Sequence, residues 1–370
     1  MKQLLSILTL FIYTTVFAQT YVFFGSFNHD KETEGIYVYE LDTIKGKLKK
    51  ITTYKGVLNP SYLTLSPDGK YLYSCTESKT PGAGSVSSFA FDKEKKSLIY
   101  LNSQKSGGEN PVYTTTDNSG KWLINGNYTE GSVSVYPIAE DGSIQSAVQY
   151  FKYTEGSNFR ANRQDRAHIH ATVFSPDNKY IYFTDLGADK IRCYKFDNTS
   201  AKPLTEELSI STDPGSGPRH LTFHPNGKFA YCIEEISGMV SAYKYNDDKL
   251  KPMMGVPVFI NEPIEGCEGS DTHISPDGKF LYASNRSNEN HIVIFSIDNN
   301  GLLKKIGYQS TFGLHPRTFA IDPSGKFIIV TNVNSSNAVV FKRDIKTGLL
   351  KKTNKVEIPN VSCVKIRKYE

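Results

Sequence analysis

Short runs that alternate apolar and polar residues recur along the whole chain, and the same turn separates pairs of them. Tyr62-Leu63-Thr64-Leu65 and Tyr71-Leu72-Tyr73 flank Ser66-Pro67-Asp68-Gly69-Lys70. A period of two is that of a half-buried strand. Pro presets the first turn position, and Gly or Asn supplies the positive φ that closes a tight hairpin. The turn returns at Asn118-Ser119-Gly120-Lys121, Ser175-Pro176-Asp177-Asn178-Lys179, His224-Pro225-Asn226-Gly227-Lys228, Ser275-Pro276-Asp277-Gly278-Lys279 and Asp322-Pro323-Ser324-Gly325-Lys326, a period of about fifty residues. A third run follows each hairpin, as in Gly84 to Asp92, with counterparts starting near Gly35, Gly131, Lys190, Gly238, His291 and Asn337. A fourth, such as Leu98 to Leu101, closes each unit. Four strands per repeating unit predict an all-β propeller of four-stranded antiparallel blades.

The hairpin turn occurs six times and the third run seven times. Ring closure accounts for the difference. Tyr21 to Phe27 opens the chain as a second strand with no first strand before it, and Val361 to Ile366 ends it as a first strand with nothing after it. Pairing them completes a seventh blade and removes two open sheet edges. Length alone suggests two or three domains, but one period along the chain predicts a single propeller over residues 19–370.

Residues 1–18 read as an export signal: Lys2, an apolar core from Leu4 to Phe17, and Val16-Phe17-Ala18 before a cut at Gln19. The apolar run is too short for a comfortable membrane span. A periplasmic or extracellular protein, with no membrane attachment in its mature form, is expected. The net charge of +5 comes from Lys scattered through turns, as at Lys47 to Lys50 and Lys93 to Lys96. Solvated hairpins and guarded sheet edges explain that pattern, and no nucleic-acid surface is expected. The five Cys are odd in number and show no CxxC spacing, which predicts neither a disulfide framework nor a zinc site.

Naming the strands of a blade a to d from the channel outwards, the Pro-Asp-Gly turns join a to b on one face of the disc. The starts of a and the ends of b must then meet on the other. The starts carry Ser61, Tyr113, His168, His170, Arg219, His220, Asp271, His273, His315 and Arg317. The ends carry Glu77, Asn127, Asp185, Glu235, Arg286 and Asn332. His168 and His170, two apart, are expected to point the same way. A rim holding His, Arg, Asp and Glu at matching places in successive blades predicts a site at that mouth; the alternative is a set of ion pairs tying blades together. There is no GxSxG, HExxH, P-loop or GxGxxG after a strand. His220 and His273 come from different blades with Arg nearby, so a site with no metal and no cofactor is expected.

These stretches resemble the seven-bladed propeller lactonases, the 6-phosphogluconolactonase-like family that also includes carboxymuconate cyclases. The resemblance runs from about Tyr21 to Ile366. It rests on Asn59 to Leu63, Asn127 to Val133, Arg163-Gln164 with His168-Ile169-His170, Asp185 to Asp189, Gly217-Pro218-Arg219-His220 with Phe223-His224-Pro225, Asp271 to Gly278, and His315-Pro316-Arg317 with Ile321-Asp322-Pro323. Ala167 stands where the family usually has Pro, Glu234-Glu235-Ile236 where it reads Asn-Glu-Leu, Ser287 for a usual Gly and Val333 for a usual Gln. The last removes a polar group from the mouth.

The resemblance implies hydrolysis of a small-molecule sugar lactone to the open acid. Glu235 or His220 is the expected general base, with Arg219 as their catalytic neighbour. Arg219, Arg286 and Arg317 are placed to bind an anionic substituent or the developing oxyanion. His168, His170 and His273 are expected to donate hydrogen bonds to the lactone, and Asp185 and Asp271 to complete the substrate-binding set. Export conflicts with a phosphorylated sugar substrate, which belongs to the cytoplasm: either the substrate is another lactone, such as an unphosphorylated one, or the first residues are not an export signal. Two rivals stand beside this reading: a cyclase-type lactonising enzyme, and a non-catalytic exported propeller that binds a glycan or protein partner.

Overall fold

The computed structural model describes residues 18–80, 82–246, 249–260 and 266–370. The expected export signal therefore lies, up to Phe17, outside the described residues. The strands form seven antiparallel sheets around a channel. Six blades are built from consecutive strands, numbered 2 to 7 here from Tyr62–Leu65 to Leu350–Glu357. Blade 1 runs from the innermost strand outwards as Val361–Tyr369, Gln19–Ser26, Ile36–Asp42 and Lys47–Tyr54. The closing pair runs from Gln19 opposite Tyr369 to Ser26 opposite Val361. The expected closure is thus present.

Each a–b hairpin turns on a residue of positive φ: Gly69, Gly120, Asn178, Gly227, Gly278 and Gly325. In the first, the Gly69 N–H donates to the Ser66 carbonyl at 2.9 Å, while the Ser66 hydroxyl donates to Asp68 at 2.6 Å and accepts the Tyr71 N–H. The core lies between blades. Val22, Phe24, Tyr37 and Tyr39 of blade 1 pack on Phe327, Ile329, Ala338 and Val340 of blade 7. Strand b is flanked on both faces and is buried along nearly all of its length, throughout in Trp122–Asn127 and Phe327–Asn332, whereas the outer strand Lys47–Tyr54 is exposed or half-exposed. That contrast is why the Lys-rich runs are outer edges. Cys75, Cys193, Cys232 and Cys363 are buried and form no disulfide.

Candidate active site

Two repeated irregularities of the blades place the polar side chains of the mouth. The first is a bulge where strand a begins. Pairing with strand b slips by one residue between Pro111 and Tyr113, Ile169 and Ala171, Pro218 and His220, and Pro316 and Thr318. The extra residues are Val112, His170, Arg219 and Arg317. In blade 6 Ser270 and Asp271 together oppose Ser284. A bulge re-aims the side chain it carries, and here successive bulges deliver a histidine, an arginine, an aspartate and an arginine. Strand alternation therefore does not govern His168 and His170. His168 precedes the strand and stacks flat on Tyr128 at 4.4 Å, while His170, the bulge residue, meets the edge of the same ring at 5.6 Å.

The second is where strand b ends. Asn127, Asp185, Glu234 and Asn332 occupy one register, opposite Pro111, Ile169, Pro218 and Pro316. Their side chains are bonded within the blade walls. Asp185 accepts two bonds from Arg192 at 2.7 and 2.9 Å and the backbone N–H groups of His168 and Ala188. Glu234 accepts the hydroxyls of Ser237 and Ser241. The next residue in each blade, Glu77, Tyr128 or Glu235, turns the other way. Its N–H donates to the residue ahead of the bulge pair, as Glu235 does to the Gly217 carbonyl at 2.8 Å. The rim expected from sequence thus mixes two registers: Asn127, Asp185 and Asn332 sit in the walls, Glu77, Glu235 and Arg286 at the mouth. Asp185 is not among the groups that converge.

Glu235 is the centre of those that do. One oxygen accepts Arg219 Nε at 2.8 Å and lies 2.9 Å from an Arg286 terminal nitrogen; the other contacts Arg163. His170 Nε2 lies 3.9 Å from Glu235. Glu268 bridges Arg286 Nε, at 2.8 Å, and Arg163, at 3.3 Å. Burial opposes the charge of Glu235, but Arg286, Arg219 and Arg163 outweigh it and hold its pKa at about 2. Arg219 is almost wholly enclosed, and burial with repulsion from Arg286 brings it down to about 10.

Beside this cluster, His220 Nδ1 lies 2.7 Å from Asp271 Oδ1, and His220 Nε2 lies 3.0 Å from Arg219. The carboxylate assigns the proton to Nδ1, which leaves Nε2 as acceptor for the guanidinium. Burial, then Arg219, lower His220 to about 4. Burial opposes the charge of Asp271, but His273 and His220 hold it well below the usual carboxylate range, and it also accepts the backbone N–H groups of Thr272 and Phe319. His170, lowered by burial and then by Arg219 and His220, is neutral, with its ring 5.2 Å from that of His220.

The remaining expected residues lie further out. His273 is on the far side of Asp271, at 3.1 Å, and lines a cavity of about 380 Å³ that His220, Tyr62, Tyr113 and Lys365 also line. Arg317 pairs with Glu77 at 3.3 Å and lies over Phe27. A larger groove of about 740 Å³, around Tyr71 and Trp122, lies among the hairpin turns away from the cluster. Arg163 and Glu268 were absent from the expected site. Arg163 sits on the long connection from Tyr153 to His168, and a connection of that length is itself a functional signal. Glu268 faces Arg286 across the a–b pair, a relation that only register reveals. Among the described residues no group of three or more His, Cys, Asp or Glu is arranged to hold a metal.

The class these features define is a seven-bladed propeller with a buried acid–guanidinium–imidazole cluster sunk in one mouth. A family model described as lactonase, seven-bladed β-propeller, matches residues 21–366. The 6-phosphogluconolactonase of Formosa agariphila is 43% identical over 305 residues, covering 81% of this chain and 86% of that one. That of Bacillus subtilis is 35% identical, covering 78% and 82%. The periplasmic gluconolactonase of Pseudomonas aeruginosa superposes with a TM-score of 0.88 at 31% identity, over 94% of this chain and 99% of the other. The chain belongs to the seven-bladed β-propeller lactonase family.

Proposed function

We propose that this chain hydrolyses a sugar lactone at the mouth that holds Glu235. The observation that carries the reading is the convergence of Arg219, Arg286, His170 and the Asp271–His220 pair on one buried carboxylate, in a chain of this family. A general base works best with a pKa near the operating pH. Glu235, at about 2 and held by three guanidinium groups, is a weak base. Its role is to fix Arg219 and Arg286 where the oxyanion develops. His220, at about 4 and oriented by Asp271, is the better base of the two. When the lactone carbonyl oxygen takes the Arg219 N–H, His220 Nε2 is freed to accept a proton from the attacking water. The water oxygen bonds to the carbonyl carbon, the ring C–O bond breaks, and the imidazolium returns the proton to the departing alkoxide. The new acid then ionises and releases one proton to solvent.

The natural substrate is an unphosphorylated lactone. Arg219, Arg286, Arg163 and Arg317 are all paired with Glu235, Glu268 or Glu77, so a phosphate dianion must compete with carboxylates already in place. This agrees with export and a leader ending at Ala18. The test is hydrolysis of gluconolactone and of its 6-phosphate by the chain from Gln19, beside Glu235→Gln and His220→Gln. Rates above the spontaneous background, higher for the unphosphorylated compound and lost in both variants, are expected. Background rates on both compounds overturn the reading and leave a propeller that binds a glycan or protein.

A further inference from the structure

The residue that precedes each bulge pair takes a left-handed backbone in five blades: Asn59, Asn110, Gly217, His315 and Asn360, with φ between 42° and 63°. The setting repeats as well. The N–H of Asn59 donates to Asn28, that of Gly217 to Asp189 and that of His315 to Asn290, while the carbonyls accept Glu77, Glu235 and Val333. The junction thus requires a residue that tolerates positive φ, and four of the five blades use Asn or Gly, the residues best suited to it. Of these five left-handed junctions only that of blade 7 carries a bulky ring; His168, at the corresponding place in blade 4, does not have a left-handed backbone. A residue that suits the backbone less well than its counterparts, at a mouth lined with functional groups, points to a role for its side chain.

The ring's surroundings say which role. His315 Nε2 lies 3.4 Å from an Arg286 nitrogen and faces it as acceptor, which places the proton on Nδ1. Nδ1 has no hydrogen-bond partner among the described residues. The side chain of Val333, which follows strand b in this blade, is apolar. We propose that His315 is a substrate-binding residue, a neutral imidazole whose Nδ1–H donates to an oxygen of the lactone bound against Arg286. Burial and the nearby Arg286 and Arg317 lower its pKa to about 3, so the ring is neutral at any working pH. A neutral donor suits an uncharged hydroxyl or ring oxygen, and it complements guanidinium groups already committed to carboxylates. The inference rests on the reading of this mouth as the lactonase site.

The test replaces His315 by the residues its counterparts use. His315→Asn and His315→Gly keep the left-handed junction, so both should melt at or above the wild-type temperature. Both should lose about tenfold or more in kcat/KM on gluconolactone, equally across about pH 5 to 8 because no titration is removed, and should bind gluconate more weakly by calorimetry. Variants that keep kcat/KM and gluconate affinity within about twofold overturn the inference and make His315 a backbone residue alone. Glu235→Gln, run in parallel, separates the two levels: if it abolishes activity while His315→Asn is silent, only the His315 assignment fails. If the wild-type chain neither hydrolyses gluconolactone nor binds gluconate, the site reading fails and this inference with it.

Discussion

At the scale of single residues, the mouth is a problem in charge compensation. Glu235 is stable as an anion only because three guanidinium groups share it, and Arg219 is tolerated deep in the protein only because Glu235 is there. Removing one side of such a pair leaves an uncompensated buried charge, at a cost of about 3–5 kcal/mol. Glu235→Gln is therefore expected to lower the melting temperature as well as activity, read by calorimetry beside kcat. Acid titration offers a second check. The folded pKa of Glu235, about 2, is below its ordinary 4.5, so its contribution is present above that ordinary value and lost as pH falls through about 2. The shift corresponds to about 3 kcal/mol. His220, at about 4 against 6.5, adds a term that is full above 6.5 and fades as pH falls through about 4. Stability should decline from about pH 6.5 downwards, with His170 and His315 adding to the His220 part and Asp271 to the lower part, and Glu235→Gln should lose less than the wild type between about pH 4.5 and 2. With His220 as base, kcat/KM should hold level above about pH 5 and fall on an acid limb near 4. A limb near 2 instead points to Glu235. The distinction between Glu234 and Glu235, or between Asn127 and Tyr128 at the mouth, turns on one residue of register, which a sequence without its pairing partners does not show.

Elements carried most of what the chain discloses in advance. The Pro-Asp-Gly turns are local chemistry, legible because Pro and Gly leave the backbone few choices, and they made the blades and the seventh-blade closure readable. The bulges were not readable, because a bulge is a relation between two strands and neither strand states it alone. They nevertheless decide the site: His170, Arg219 and Arg317 face the mouth as extra residues. Gly217 shows how such a junction is held. Its φ is +63°, and a Cβ there would sit 2.8 Å from Ile236 Cγ1. Gly217→Ala should thus lose about 1–3 kcal/mol through backbone strain and crowding. Because Arg219 follows two residues later, kcat should fall with the melting temperature. A variant with wild-type kcat separates the junction from the placement of Arg219.

For the whole molecule, one strand pair closes the ring, and both of its strands come from the ends of the chain. Phe24 is fully buried between blades 1 and 7, with Tyr39 against its ring at 5.5 Å and Val361 and Val364 of the closing strand in the same cluster. Phe24→Ala should cost about 3–5 kcal/mol, as large buried side chains do. The first strand begins at Gln19, opposite Tyr369, so a leader cut after Ala18 leaves the closing pair whole. The chain from Gln19 should then melt as a single cooperative unit at the temperature of the full-length protein. Removing Val361–Tyr369 uncovers the inner edge of Gln19–Ser26 and strips the cluster of Val361 and Val364. An uncovered, buried-type edge pairs with whatever it meets, so that shortened chain should unfold at lower temperature and associate in light scattering. If it stays monomeric and keeps its melting temperature, closure is a consequence of the other six blades packing in a ring rather than the bond that holds them.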